Sequence, residues 1–99
     1  MSRSMFVYII TNRNNSVLYT GVTNDLLRRV HEHRHGTRPS FAKRYALRKL
    51  VYFEQHGSPE SAIGREKQIK SGSRRAKERL IEAINPGWQD LTDRLLEQG

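Results

Sequence analysis

The sequence predicts an α+β domain, a small three-stranded antiparallel sheet flanked by helices, on three observations. Met5 to Thr11 and Ser16 to Val22 are rich in β-branched and aromatic residues and lie either side of an asparagine-rich turn, so they read as a hairpin. Leu50-Val51-Tyr52-Phe53 is an apolar run too short for an average helix and reads as a third strand. After it the signals turn helical: Ser58-Pro59-Glu60 supplies a cap residue, a proline at the first helical position and an early acid. Ninety-nine residues leave room for one domain, with its body over about 5–85 and a tail over 86–99, and for one modest core.

Taken in order, the first strand runs from Met5 to Thr11 and Asn12 to Asn15 is the turn. Asparagine tolerates the left-handed backbone of tight hairpins, so Arg13-Asn14-Asn15 forms a tip without glycine. A short symmetric hairpin centred between Arg13 and Asn14 sets Tyr8 directly opposite Tyr19 on one sheet face. Gly21 ends the second strand and removes a side chain where a ligand's backbone would approach. Thr23, Asn24 and Asp25 offer cap oxygens for a first helix from Asp25 to His35, whose apolar residues Leu26, Leu27 and Val30 form a narrow stripe. Arg29 and His33, one turn apart, project from one side of it, and Gly36 stops it.

Thr37 to Ala46 reads as a loop or a single helical turn, and its Lys43, Arg44 and Tyr45 are a basic and aromatic mixture suited to a strand of nucleic acid. The third strand lies within Leu47 to Gln55. The second helix puts Ala62, Ile63, Glu66 and Ile69 on one face and ends at Gly72. Ser73 caps a third helix with the stripe Ala76, Leu80, Ile81 and Ile84, closed by Asn85-Pro86-Gly87. Trp88, Leu91 and Leu95 belong to a last short helix or packed tail, with Trp88 as its core anchor.

Eighteen Lys and Arg against ten Asp and Glu give a formal charge of +8, so the expected partner is a polyanion. The charge is uneven. Arg28 to Lys49 holds eight basic residues against Glu32 alone, whereas the last fourteen residues carry three acids and one arginine. Seven basic residues fall between Arg65 and Arg79, among them Lys67, Lys70, Arg74 and Arg75. Such a run is either a solvated helix face or a sequence-independent grip on phosphates. The absence of cysteine excludes disulfides, a thiol nucleophile and a thiolate zinc site. After Met5 only five apolar residues, Phe6 to Ile10, precede Thr11, too short a run for a signal peptide's core or a membrane span, so a cytoplasmic protein with no membrane partner is expected.

Several residues carry both a structural and a chemical reading. Glu66 lies between Ala62 and Ile69 on the stripe facing the sheet, where a charge needs an ion-pair partner, such as an arginine, or a metal. Arg29 is either one charge on a solvated face or a planar, always-charged holder of phosphate oxygens. Arg28, about a hundred degrees round the helix, serves binding rather than chemistry. Tyr8 and Tyr19 are half-buried strand tyrosines or members of a site. A free phenol has a pKa near 10, so base work at neutral pH needs positive charge close by. His31-Glu32-His33-Arg34-His35 matches the H-E-x-x-H helix motif of zinc peptidases. Its context is poor, since Gly36 and Pro39 end the helix at once, arginines surround it and no third ligand follows.

With these residues in view, the chain resembles a GIY-YIG nuclease domain from about Phe6 to about Asn85, closest to the small stand-alone bacterial members. Phe6-Val7-Tyr8 takes the place of the first signature triplet and Tyr19-Thr20-Gly21 that of the second. Arg29 falls eight residues past Gly21, where the family has its catalytic arginine. Phe6 replaces the signature glycine and Thr20 an aliphatic residue, while both tyrosines are kept. The resemblance implies a metal-dependent endonuclease acting on nucleic acid, DNA by preference, in a repair or recombination setting. It implies Glu66 as ligand of Mg2+, or Mn2+ in its place, with Arg29 stabilising the transition state and Tyr19 helping to deprotonate the attacking water. Tyr8 orients that water or the phosphate, His33 carries a proton or donates to phosphate, and Asn85 matches a late positioning asparagine, although a helix-ending Asn-Pro accounts for it equally. A non-catalytic nucleic-acid-binding module on the same scaffold is the first alternative, and a separate protein that targets the domain is left open.

Overall fold

The computed structural model describes residues 4–35 and 46–98, so the expectations placed on Gly36, Lys43, Arg44 and Tyr45 lie outside the described residues. Its architecture is α+β. Strands β1 (Met5–Thr11), β2 (Leu18–Thr23) and β3 (Lys49–His56) form one antiparallel sheet in the order β2-β1-β3. Helices α1 (Leu26–Arg34), α2 (Pro59–Ser71), α3 (Arg74–Ile84) and α4 (Thr92–Gln98) complete the described elements. The central strand is buried on both faces from Val7 to Thr11, which is why it reads as an almost unbroken apolar run.

Each face carries its own core. Tyr8, Ile10 and Leu50 pack with Leu26 and Val30 of α1 and with Leu47 and Leu91 on one side. Val7, Ile9, Val51 and Tyr52 pack with Ala62 and Ile69 of α2 and Ile81 of α3 on the other. A register shift lets Ile9 pair with Tyr52 and Ile10 with Leu50, so Val51 is an extra residue in β3. This bulge sends Val51 and Tyr52 into the same core. Leu27, Ile63 and Ile84, expected on the apolar stripes, are instead exposed, because two thin cores do not cover stripes that wide. Trp88 packs against the α2–α3 core with its indole N–H donating to Glu82 at 3.1 Å.

The helix starts follow local chemistry. Asp25 caps α1 by accepting from the Arg28 N–H, Ser58 caps α2 by accepting from the Ser61 N–H, and Ser73 caps α3 by accepting from the Ala76 N–H. The hairpin differs from expectation. Pairing stops at Thr11 and Leu18, leaving a loop of Asn12 to Val17 in place of a short tip. The Asn12 carboxamide oxygen accepts from the N–H groups of Ser16 at 2.9 Å and Val17 at 3.1 Å, and Asn15 takes φ 60°. These bonds hold the wider loop and move the hairpin's centre one residue on, to between Asn14 and Asn15.

A polar network fixes how α2 sits on β3. Glu54 accepts from the Tyr52 hydroxyl, from Arg65 Nε at 2.9 Å and shares a 2.7 Å bond with His56 Nε2, while His56 Nδ1 lies 2.6 Å from the Ser61 hydroxyl. Burial, then the bond to Glu54, pushes the Tyr52 phenol up to about 12. Burial pushes the Glu54 carboxyl up, but the bonds from Tyr52, His56 and Arg65 together bring it below its usual range. Arg65 therefore anchors the helix one residue before Glu66.

Candidate active site

The wider hairpin pairs Tyr8 with Gly21 and Tyr19 with Ile10, so the two tyrosines are diagonal neighbours rather than directly opposed. A shift of two residues preserves the face, and the ring centroids lie 6.4 Å apart. The phenol of Tyr8 lies over Gly21: a Cβ there would stand 2.5 Å from the Tyr8 hydroxyl oxygen. The space expected to admit a ligand's backbone is thus taken by the protein's own tyrosine.

His33 closes the group from α1. Its Nε2 is 3.2 Å from the Tyr8 hydroxyl, and its ring centroid is 6.0 Å from that of Tyr8 and 5.6 Å from that of Tyr19. Tyr8 is fully buried and His33 is 5% exposed, whereas Tyr19 is half-buried. Tyr8 therefore has no surface with which to touch a phosphate, and its hydroxyl acts on His33. Of the two phenols, Tyr19 is the one with surface open to solvent. Arg29, one turn before His33, lies with Nε 3.2 Å from Glu32 Oε1 and 18% of its side chain exposed. The contact is an ion pair and not a hydrogen bond from Nε, and the guanidinium carries its donors in a planar fork.

From α2, which packs across β1 and β2, come Glu66 and Lys70. Lys70 Nζ stands 6.0 Å from the centroid of the Tyr19 ring and 3.3 Å from Glu66 Oε2. Glu66 thus has an ion-pair partner, and that partner is a lysine beside Tyr19 rather than an arginine elsewhere. The i, i+4 spacing of Glu66 and Lys70 was the signal for this pair in the sequence. Glu66 suits a hard cation: it is a mostly buried carboxylate, its side chain 16% exposed, at the edge of the tyrosine group. Among the described residues no group of three or more His, Cys, Asp or Glu could hold a metal, so an ion at Glu66 would have to draw its other ligands from water and phosphate. The zinc-peptidase motif gains no support from the geometry: the His31 and His35 ring centroids lie 4.1 Å apart, but Glu32 is paired with Arg29 and no third ligand joins them among the described residues.

Other expected site residues are elsewhere. Asn85 ends α3 and is buried on the face away from Tyr8, its amide donating to the carbonyls of Val51 at 3.0 Å and Gln89 at 2.8 Å. It holds α3 to β3. Arg74 is bound to the hairpin, donating to the carbonyls of Ser16 at 2.9 Å and Asn15 and pairing with Glu78 at 3.1 Å, so it is a clasp rather than a free grip. Arg28, Lys67 and Arg75 are exposed.

The model of the GIY-YIG catalytic domain matches residues 4–79, a span holding both tyrosines, Arg29, His33, Glu66 and Lys70 and excluding Asn85. This chain belongs to the GIY-YIG family. It is 39% identical over 77 residues to a UPF0213 protein of Haloquadratum walsbyi, covering 78% of this chain and 85% of that one. It is 40% identical over 78 residues to a UPF0213 protein of Pseudomonas aeruginosa, covering 79% of this chain and 74% of the relative. The solution NMR structure of a UPF0213 protein from Bacillus halodurans matches the GIY-YIG fold seen here with a TM-score of 0.56 and 32% identity, over 90% of this chain and 94% of that one. GIY-YIG membership carries nuclease-type chemistry on nucleic acid. No described helix is long and apolar enough to cross a membrane.

Proposed function

We propose that this protein is a metal-dependent endonuclease that hydrolyses phosphodiesters, with DNA as its substrate and repair or recombination as its setting. What supports this reading above all is the meeting at Tyr19 of groups from four elements: Tyr8 of β1, Tyr19 of β2, His33 of α1, and the Glu66–Lys70 pair of α2.

Tyr8 holds His33 through the buried 3.2 Å contact, and the two rings fix that of Tyr19. Tyr19 takes the proton from a water attacking phosphorus in line, while Arg29 holds phosphate oxygens and offsets the charge that builds on them. The P–O bond to the leaving oxygen breaks, and that oxygen collects a proton from solvent. Glu66 would hold magnesium or manganese, which when bound supplies Lewis-acid stabilisation of the phosphate and leaving oxygen. The exposed Arg28, Lys67 and Arg75 contribute sequence-independent grip.

A nicking assay on plasmid, branched and single-stranded DNA tests this. Cleavage is expected to need Mg2+ or Mn2+ and to fall about 100-fold or more in Arg29→Ala and Glu66→Gln. Cleavage that persists at the native rate in both variants overturns the site. Binding of all substrates with no cleavage under any metal leaves a nucleic-acid-binding module on this scaffold.

A further inference from the structure

Glu66 is paired with Lys70. The ammonium is 3.3 Å from one carboxylate oxygen, and the same ammonium lies 6.0 Å from the Tyr19 ring centroid. The two sides of the pair differ in exposure, 16% for Glu66 against 50% for Lys70, so the carboxylate is the fixed member and the lysine the one free to swing. A lysine ammonium is a compact point charge on a flexible stem with three rotatable donors, and it occupies the kind of position at a carboxylate that a metal ion also seeks.

We infer that Lys70 is a positioning residue that acts as the resident cation of the candidate metal site: it neutralises Glu66 in the metal-free protein and gives way when a divalent ion arrives. This rests on Glu66 being the metal ligand. Two consequences follow from simple competition. The ammonium keeps a mostly buried carboxylate from being left uncompensated, which would otherwise be costly. It also weakens binding of a free divalent ion, so that the ion binds well only when substrate phosphate supplies further oxygens and draws the displaced ammonium to itself. Metal loading is thereby coupled to substrate. Nothing about Lys67, exposed on the same helix, gives it this role.

The test is an NMR titration of the full chain with Mg2+ in the absence of nucleic acid, following backbone amides between residues 63 and 71. Native protein, Lys70→Met, Lys70→Arg, Lys67→Met and Glu66→Gln are compared, each checked for native chemical-shift dispersion. Lys70→Met is expected to bind Mg2+ at least threefold more tightly than native protein. Lys70→Arg should stay near native, and Lys67→Met should change by less than half as much as Lys70→Met. An affinity in Lys70→Met that is unchanged or weaker, with binding still lost in Glu66→Gln, overturns the role of Lys70 alone. Equal tightening by Lys67→Met overturns it too, because the effect would then be one of net charge. Binding that survives Glu66→Gln, or no binding in native protein and Lys70→Met alike, overturns the metal site itself and the inference with it.

Discussion

Gly21 shows how a signature glycine earns its place through a neighbour and not through a ligand. Its Cα faces the end of the Tyr8 ring, and a methyl there would sit 2.5 Å from the hydroxyl oxygen and 2.6 Å from the carbon bearing it. Tyr8 is fully buried and its hydroxyl is bound to His33, so the ring cannot swing into solvent to make room. Gly21→Ala is therefore expected to destabilise the fold by about 1 to 3 kcal/mol, the usual range for overpacking a filled core. It should also slow nicking by loosening His33 behind Tyr19. A double-mutant cycle in urea with Tyr8→Leu decides the cause: the alanine should cost much less once the phenol is gone. Costs that simply add would show that Gly21 accommodates something other than Tyr8. That Tyr8 and Tyr19 share a face was legible in the sequence, because the expected and observed registers differ by two residues, and an even shift keeps the face where a single-residue slip would reverse it. The register was not, because it depends on which backbone groups the Asn12 carboxamide captures.

Among the elements, α2 matters most to the site, and it is held by chemistry on the face away from the tyrosines. The Tyr52–Glu54–Arg65 bonds set its rotation one residue before Glu66. The start of α2 was readable from Ser58-Pro59-Glu60, since capping is local, and so was the break at Gly72-Ser73. The anchoring of α2 was not readable, since it joins residues eleven apart across two elements. Its pH dependence can be worked out. The Tyr52 phenol titrates at about 12 in the folded protein against an ordinary 10.0, so the folded state favours the neutral form. The stability this contributes is complete below pH 10 and is lost as pH rises towards 12. Urea midpoints between pH 9 and pH 12 should fall more steeply for native protein than for Tyr52→Phe. Parallel declines would mean that Tyr52 is not the responsible group, as other phenols and lysines titrate in both proteins. Glu54 works in the opposite sense, its depressed carboxyl contributing stability above its ordinary range and losing it as pH falls through the folded value.

At the scale of the whole molecule a formal charge of +8 implies a polyanion but does not say which cations touch it. Composition treats Lys67 and Arg74 alike, and the fold separates them. Arg74 spends its guanidinium on two hairpin carbonyls and on Glu78, bridging α3 to the loop that sets the register of β1 and β2. Lys67 lies exposed on α2 one residue from Glu66. For a duplex, the logarithm of affinity falls with the logarithm of salt at about 0.9 per phosphate neutralised, so a lost contact appears as a shallower slope. Lys67→Gln should reduce that slope by about one in fluorescence anisotropy between 50 and 200 mM salt and leave the melting temperature within error. Arg74→Gln should do the reverse, keeping the slope and costing about 1 kcal/mol of stability, a value held low because much of this side chain faces solvent. If Arg74→Gln flattens the salt dependence while the fold keeps its stability, the guanidinium is released to phosphate when nucleic acid binds. The hairpin clasp would then belong only to the free protein, and the binding face would extend from α2 across to the tip of the sheet.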